Sequence, residues 1–84
     1  MHYIDTAPKD VGLMPNQVFG TLNGDAFYFR ARSGSWTLQK GGADGPELAE
    51  GIDDNAGWWT GEEAIAFCET ILQLLDNDVK EHGT

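Results

Sequence analysis

The side chains that could take part in acid–base or nucleophilic chemistry are two histidines and one cysteine: His2, His82 and Cys68. A general base must be held within about 3 Å of the proton that it removes, and we expect no such geometry for residues beside a chain terminus, where both histidines lie. Cys68 follows Phe67 on an apolar stripe and precedes Glu69, whereas a reactive thiolate needs basic neighbours. We expect a small core residue there, and we predict that the chain is not an enzyme.

Residues 53–57, with the sequence DDNAG, resemble the start of a calcium-binding loop. Such a loop needs oxygen-bearing side chains at alternate positions and a glutamate at the twelfth. Counted from Asp53, the fifth position is Gly57 and the twelfth is Ala64, so we predict a solvated acidic turn and no metal site. The segments GGADG and GTLNG lack the Gly-Lys-Ser/Thr ending or the following helix of a phosphate-binding loop. We therefore predict no cofactor.

The clearest strands flank the dipeptide Asn23-Gly24, which is the strongest short-range signal for a two-residue β-hairpin turn. This turn sets Leu22 opposite Asp25, Gly20 opposite Phe27 and Val18 opposite Phe29. Side chains alternate between the two faces of a strand. One face should therefore carry Val18, Gly20, Leu22, Phe27, Phe29 and Ala31. The ring of Phe27 should cover the bare backbone of Gly20.

A second two-residue turn at Ser33-Gly34 would place Ala31 opposite Trp36 and Phe29 opposite Leu38. Trp36 and Leu38 then join the same apolar face. Because two independent turns agree on one face, we predict a three-stranded antiparallel meander over residues 17–40.

The chain closes with the most regular helical pattern, over residues 60–82. Thr60 as N-cap and Glu63 three residues later form a capping box. Apolar residues then recur at spacings of three and four, at Ala64, Phe67, Cys68, Ile71, Leu75 and Val79, and Ile65, Leu72 and Leu74 widen the stripe.

These elements predict a single α+β domain spanning residues 1–84, in which the meander packs on one C-terminal α-helix in two layers. Its core should combine the apolar sheet face with Phe67, Ile71, Leu75 and Trp58. Residues 1–16 should be mostly loop, with HYI as a candidate edge strand. Residues 41–57 form a loop rich in Gly and Asp, in which ELAEGI is either a short fourth strand or a turn of helix.

The composition is strongly acidic: fourteen Asp and Glu face five Lys and Arg, for a formal net charge of −9. Such a surface repels nucleic acid and anionic membranes and is attracted to basic surfaces, although acidity also serves solubility alone. No apolar run is long enough for a transmembrane helix. The N-terminus lacks the features of a secretory signal. With one cysteine and so no internal disulfide, the simplest compartment is a reducing cytoplasm.

Two surfaces are candidates for binding a partner. The first is an acidic surface formed by Asp44, Glu47, Glu50, Asp53, Asp54, Glu62, Glu69 and Asp76. The second is the polar side of the meander, where aromatic and basic residues alternate with core residues: Phe19, Tyr28, Arg30 and Arg32. Tyr, Phe and Arg are enriched at interaction hot spots, so this face suits a protein contact or a homodimer.

The hairpin FYFRARSGSWTL, followed by GWWTGEEAIAFCETILQLL, resembles small uncharacterised acidic proteins of phages and mobile elements. The resemblance spans residues 25–40 and 57–75 and carries over no catalytic residue. It implies an anti-CRISPR-like inhibitor, since such proteins often block nucleic-acid enzymes of the host, in some cases by mimicking DNA. The leading hypothesis is therefore a non-enzymatic inhibitor whose acidic surface binds a basic nucleic-acid-handling protein. The alternative is an interaction or dimerisation module that uses the aromatic and arginine face.

Overall fold

The fold is α+β, with a five-stranded antiparallel sheet followed by one C-terminal helix. The computed structural model describes the backbone of residues 1–42 and 44–82, and side chains as far as residue 77. The elements are β1 (His2–Ile4), a 3-10 turn (Pro8–Asp10), β2 (Asn16–Leu22), β3 (Asp25–Arg32), β4 (Ser35–Lys40), β5 (Glu47–Ile52) and α1 (Gly61–His82). The strands lie in chain order across the sheet. Within the described residues, no helix is both long and apolar enough to cross a bilayer.

The central hairpins follow the predicted register. Both two-residue turns have positive φ at both positions, 53° and 88° at Asn23 and Gly24, and 54° and 85° at Ser33 and Gly34. These values match the type I′ turn, whose twist suits a two-residue hairpin. Val18 lies opposite Phe29, and Phe29 in turn lies opposite Leu38, as predicted.

Two further strands extend the meander, so the predicted number of strands was too low. HYI forms β1, which pairs with β2 and sets His2 opposite Leu22. ELAEGI forms β5 rather than a turn of helix, and it pairs with β4 so that Glu50 lies opposite Thr37. A bulge between Leu38 and Gln39 interrupts this last pairing. Strands β1 and β5 are the two edges of the sheet.

The core lies between one face of the sheet and α1. The fully buried side chains of the sheet side include Val18, Phe29, Ala31 and Leu38, and those of the helix include Ala64, Cys68 and Leu72. Phe67, Ile71 and Leu75 are only partly buried beside them. Of the two adjacent tryptophans before the helix, the one in the core is Trp59, which is 7% exposed, and not Trp58, which is 62% exposed.

Two glycines let core rings lie flat against the backbone of the sheet. A Cβ atom at Gly20 would approach the ring of Phe27 to 2.7 Å, and one at Gly51 would approach the indole of Trp36 to 2.6 Å. The predicted cover of Gly20 by Phe27 is thereby confirmed. At the start of α1, the capping box is also confirmed: the N–H of Glu63 donates to Thr60 Oγ1 at 3.1 Å, and the N–H of Thr60 donates to Glu63 Oε1 at 3.0 Å.

The opposite side of the sheet is called the outer face below. The register arranges its side chains in rows across β3, β4 and β5. The three rows are Tyr28–Gln39–Glu47, Arg30–Thr37–Glu50 and Arg32–Ser35–Ile52. On β2, Phe19 lies beside Tyr28 and Gln17 beside Arg30. The helix packs only against the other face.

Candidate functional site

Five of the eight carboxylates predicted to form an acidic surface lie together along one edge of the sheet. They occupy β5 and the turns on either side of it: Asp44, Glu47, Glu50, Asp53 and Asp54. These five residues are called the acidic edge below. Residues 41–79 contain no Lys or Arg. Among the described residues, no carboxylate of the acidic edge forms an ion pair with a cation.

Glu47 and Glu50 are close neighbours on the outer side of β5. A side-chain hydrogen bond to Glu50, reinforced by the repulsion between the two charges, raises the pKa of Glu47 above its ordinary value. Like charges at close range disfavour full ionisation of both groups. Within the described part of the chain, no cation pairs with either glutamate.

The turn after β5 is fixed beside the β3–β4 hairpin. Asp53 Oδ1 accepts a hydrogen bond from the N–H of Asn55 at 2.9 Å. The backbone N–H of Asp53 donates to the carbonyl of Gly34 at 3.0 Å, and the N–H of Gly34 donates to the carbonyl of Ala56 at 3.1 Å. Asp54 remains exposed at the tip of this turn. The acidic edge is thus mounted on ordered backbone.

Glu62 lies apart from β5, exposed in the first turn of α1. A carboxylate at this position stabilises the positive end of the helix dipole. Its position therefore has a structural reason of its own.

Asp76 is not an accessible member of the acidic surface, which corrects the sequence interpretation of this residue, whereas the side chain of Glu69 is 43% exposed. Asp76 is only 8% exposed. Its carboxylate accepts hydrogen bonds from His2 Nδ1 and from the N-terminal ammonium of Met1. Glu69 Oε1 lies 2.6 Å from His2 Nε2. Both carboxylates therefore bind His2, but only that of Asp76 is enclosed by the fold.

The sequence interpretation did not predict the hydrogen bonds of the His2 ring to two carboxylates. The hydrogen bond to Asp76, followed by the one to Glu69, raises the pKa of His2 above 6.5. The same bond from His2, with the N-terminal ammonium, lowers the pKa of Asp76 below 3.8. Both ring nitrogens face carboxylates, so the cationic ring donates twice and keeps no nitrogen free to act as a base.

The expectation that proximity to a terminus leaves His2 without a held geometry was therefore wrong, since its side chain is 14% exposed and bound at both nitrogens. A signal was present in the helix. Asp76 continues the four-residue spacing of Ala64, Cys68 and Leu72, all of them buried. A carboxylate at a buried position of a helix needs a hydrogen-bond donor or a cation as its partner. The side chain of His82 lies outside the part that the structure describes.

The aromatic residues of the outer face are brought together. Phe19 and Tyr28 stack with their ring centroids 5.1 Å apart. Gln17 Nε2 donates to the hydroxyl of Tyr28 at 2.8 Å. Tyr28 is 6% exposed beneath these neighbours, whereas Phe19 is 49% exposed. Phe19 is thus the ring of this pair that a partner could reach.

The two arginines of the outer face have no acidic partner within the described residues, although the chain is strongly acidic. Arg30 Nε is buried and has no hydrogen-bond acceptor. Beside Arg30 and Arg32 lies a depression of about 420 Å³, which is also lined by the hairpin residues Ser33, Ser35, Trp36 and Thr37. An unsatisfied, charged donor beside a depression favours binding of a carboxylate or another oxyanion.

The remaining candidates for chemistry show no reactive setting. Cys68 is fully buried, and this burial raises the pKa of its thiol to about 12. The described residues contain no group of three or more His, Cys, Asp or Glu side chains that could hold a metal ion. Comparison of the chain with protein-family models, curated proteins and solved structures finds no match. The functional argument therefore depends on the surfaces of this chain alone.

Proposed function

We propose that this chain is a non-enzymatic inhibitor that binds a basic, nucleic-acid-handling protein through its acidic edge. One observation carries the proposal. Five of the eight carboxylates outside the helix lie on β5 and its two turns, and no cation pairs with any of these five in the described part of the chain. An uncompensated cluster of one sign attracts a surface of the opposite sign and accelerates encounter with it.

Proteins that handle nucleic acids present clustered Lys and Arg to the phosphate backbone. A row of carboxylates along β5 offers such a surface charges of the same sign as phosphate. Nucleic acid itself is repelled by a chain of net charge −9. The partner is therefore a protein, and binding of this chain would occupy the surface that the partner uses for nucleic acid.

The edge position of β5 adds a second kind of contact. Among the described strands, β5 pairs only with β4, so its other side presents backbone N–H and C=O groups without strand partners. A free edge of this kind accepts an extended segment as an additional strand. A basic extended segment fits best, because its Lys and Arg side chains would meet Glu47 and Glu50.

The test compares two variants of equal charge. Glu47→Gln/Glu50→Gln neutralises two carboxylates of the acidic edge, and Asp5→Asn/Asp10→Asn neutralises two exposed carboxylates elsewhere. The original chain and both variants are immobilised and exposed to nuclease-treated bacterial lysate at about 50 mM and about 500 mM NaCl, where screening differs strongly. Bound proteins are identified by mass spectrometry and re-tested in purified form.

The original chain and the Asp5/Asp10 variant should retain the same basic nucleic-acid-binding protein at low salt and release it at high salt. The Glu47/Glu50 variant should bind it about tenfold more weakly, since two exposed ion pairs together contribute roughly 1–2 kcal/mol. The purified partner should also lose affinity for nucleic acid when the original chain is added. Equal retention by both variants, or retention that is insensitive to salt, contradicts the proposal.

A further inference from the structure

The outer face holds charges of both signs in separate columns. Arg30 and Arg32 lie on β3, whereas Glu47 and Glu50 lie on β5, and β4 separates the two columns. Adjacent strands lie about 4.8 Å apart, so the columns are separated by roughly 10 Å. Neither arginine pairs with either glutamate within the chain. Within the described residues, neither column is paired with charges of the opposite sign.

A two-fold axis that runs along β4, above the outer face, would match these columns between two copies. Rotation about such an axis places β3 of one copy over β5 of the other and preserves the position along the strands. Arg30, Thr37 and Glu50 share one row of the register. Arg30 therefore faces Glu50 of the partner subunit, and Thr37 faces its own counterpart. The surface is self-complementary, as a closed two-fold interface requires.

We infer that two copies of this chain form a weak symmetric dimer through their outer faces, held by reciprocal ion pairs between Arg30 and Glu50. The guanidinium of Arg30, which has no acidic partner within the described residues, gains a carboxylate in this arrangement. The repulsion between Glu47 and Glu50 is relieved by a cation of the other copy. Face-to-face sheets pack about 10 Å apart, a gap that two long charged side chains can bridge.

The apolar contact follows from the neighbouring row. Ile52 shares its row with Arg32 and Ser35 and is 87% exposed. The same rotation carries Ile52 of the partner subunit over the depression of about 420 Å³ beside Arg32. Burial of this side chain supplies an apolar contribution that ion pairs alone do not provide.

The size of the face limits the strength of the dimer. Rotation about β4 overlaps only β3, β4 and β5. Three strands about 4.8 Å apart and some 20 Å long present roughly 300 Å² of flat sheet. A standard stable interface buries about 800 Å² on each partner. The dimer should therefore be weak, but it should form at or below about 1 mM protein. This inference is separate from the proposed function, because the purified chain alone suffices to test it.

The test uses charge reversal and its restoration, measured by sedimentation equilibrium at low salt up to about 1 mM protein, where millimolar affinities are detectable. Arg30→Glu sets glutamate against Glu50 of the partner subunit, and Glu50→Arg sets arginine against arginine. Each variant alone should be at least tenfold weaker in dimerisation than the original chain. An equimolar mixture of the two should form a heterodimer, because both pairs across the axis then have opposite charges.

Lys9→Glu and Asp10→Arg change the net charge by the same amounts at exposed positions outside the outer face, and both should dimerise like the original chain. Thr37→Glu places two like charges opposite each other on the axis and should also abolish the dimer. This variant tests the interface even if Arg30→Glu does not fold. An original chain that is monomeric at about 1 mM, or a mixture that stays monomeric, overturns the inference. So does equal weakening by the Lys9 and Asp10 controls.

Discussion

At the scale of single residues, His2 links the first strand to the helix. Its two ring nitrogens meet Asp76 and Glu69, which are 74 and 67 positions away in the chain. Hydrogen bonds between charged groups are stronger than neutral ones. Because the side chains of His2 and Asp76 are largely shielded from water, their contact stabilises the fold more than an exposed ion pair would.

This contact predicts a dependence of stability on pH. The pKa of His2 is raised above 6.5, so its contribution is full below that value and is lost as the pH rises through the raised pKa. The pKa of Asp76 is lowered below 3.8, so its contribution is full above that value and is lost as the pH falls through the lowered pKa. Stability from this contact is greatest between the two values.

Urea unfolding measured from about pH 6 to about pH 9 should show a falling midpoint for the original chain, across the range in which a raised histidine titrates. His2→Gln should remove most of this decline and should lower the midpoint at about pH 6. Glu62→Gln, which changes an exposed carboxylate of the same helix, should keep the decline. A His2→Gln variant with an unchanged pH profile would show that another group titrates instead.

At the scale of the elements, the helix begins where its capping box closes. The side chains of Thr60 and Glu63 each accept a hydrogen bond from the backbone N–H of the other residue. Without these bonds, the two N–H groups would be left to water. Trp59, just before the cap, stacks on Phe67 with ring centroids 4.6 Å apart. The residue just before the cap is thus held in the core.

Thr60→Ala should lower the free energy of unfolding by about 1 kcal/mol, the usual cost of losing an N-cap side chain. Thr70→Ala is the matched control, because Thr70 lies inside the same helix and its hydroxyl donates to the carbonyl of Ala66 at 3.1 Å. Alanine favours the helix interior, so this control should be neutral or slightly stabilising. Chemical denaturation followed by circular dichroism measures both. Equal losses from the two variants would refute the capping role.

The elements that could be predicted from the sequence are those set by local signals. Asn23-Gly24 and Ser33-Gly34 determine the register of β2, β3 and β4, because a two-residue turn leaves no freedom in the pairing. The four-residue spacing of the helix indicates that Asp76 is buried and needs a partner, but no local pattern identifies that partner as His2, which lies 74 positions away. The choice between Trp58 and Trp59 for the core depends on the turn at residues 53–57, whose geometry the sequence pattern does not determine. The pairing of β5 likewise includes a bulge that alternation does not reveal.

At the scale of the whole molecule, the uneven distribution of charge affects both stability and binding. The net charge of −9 is borne by a chain of 84 residues, and its repulsion destabilises the compact state. The acidic edge and the outer face both include Glu47 and Glu50. A dimer through the outer face would therefore compete with a basic partner for these two side chains.

Added salt should stabilise the fold, because it screens the repulsion among the carboxylates. Raising NaCl from about 20 mM to about 300 mM shortens the screening length several-fold and should raise the urea midpoint of the original chain. Glu47→Gln/Glu50→Gln should show a smaller increase, since it begins with less repulsion. A midpoint that falls with salt would mean that attractive pairs, such as those of His2, outweigh the repulsion.

Because Cys68 is buried, the reactivity of its thiol can be used to detect separation of the helix from the sheet. The chain has one thiol, and that thiol is 0% exposed in the seam between helix and sheet. A thiol-specific reagent can reach the sulfur only when the helix lifts from the sheet. The rate of labelling under native conditions therefore depends on how often the helix separates from the sheet. A ligand that binds both layers and stabilises their contact would lower this rate.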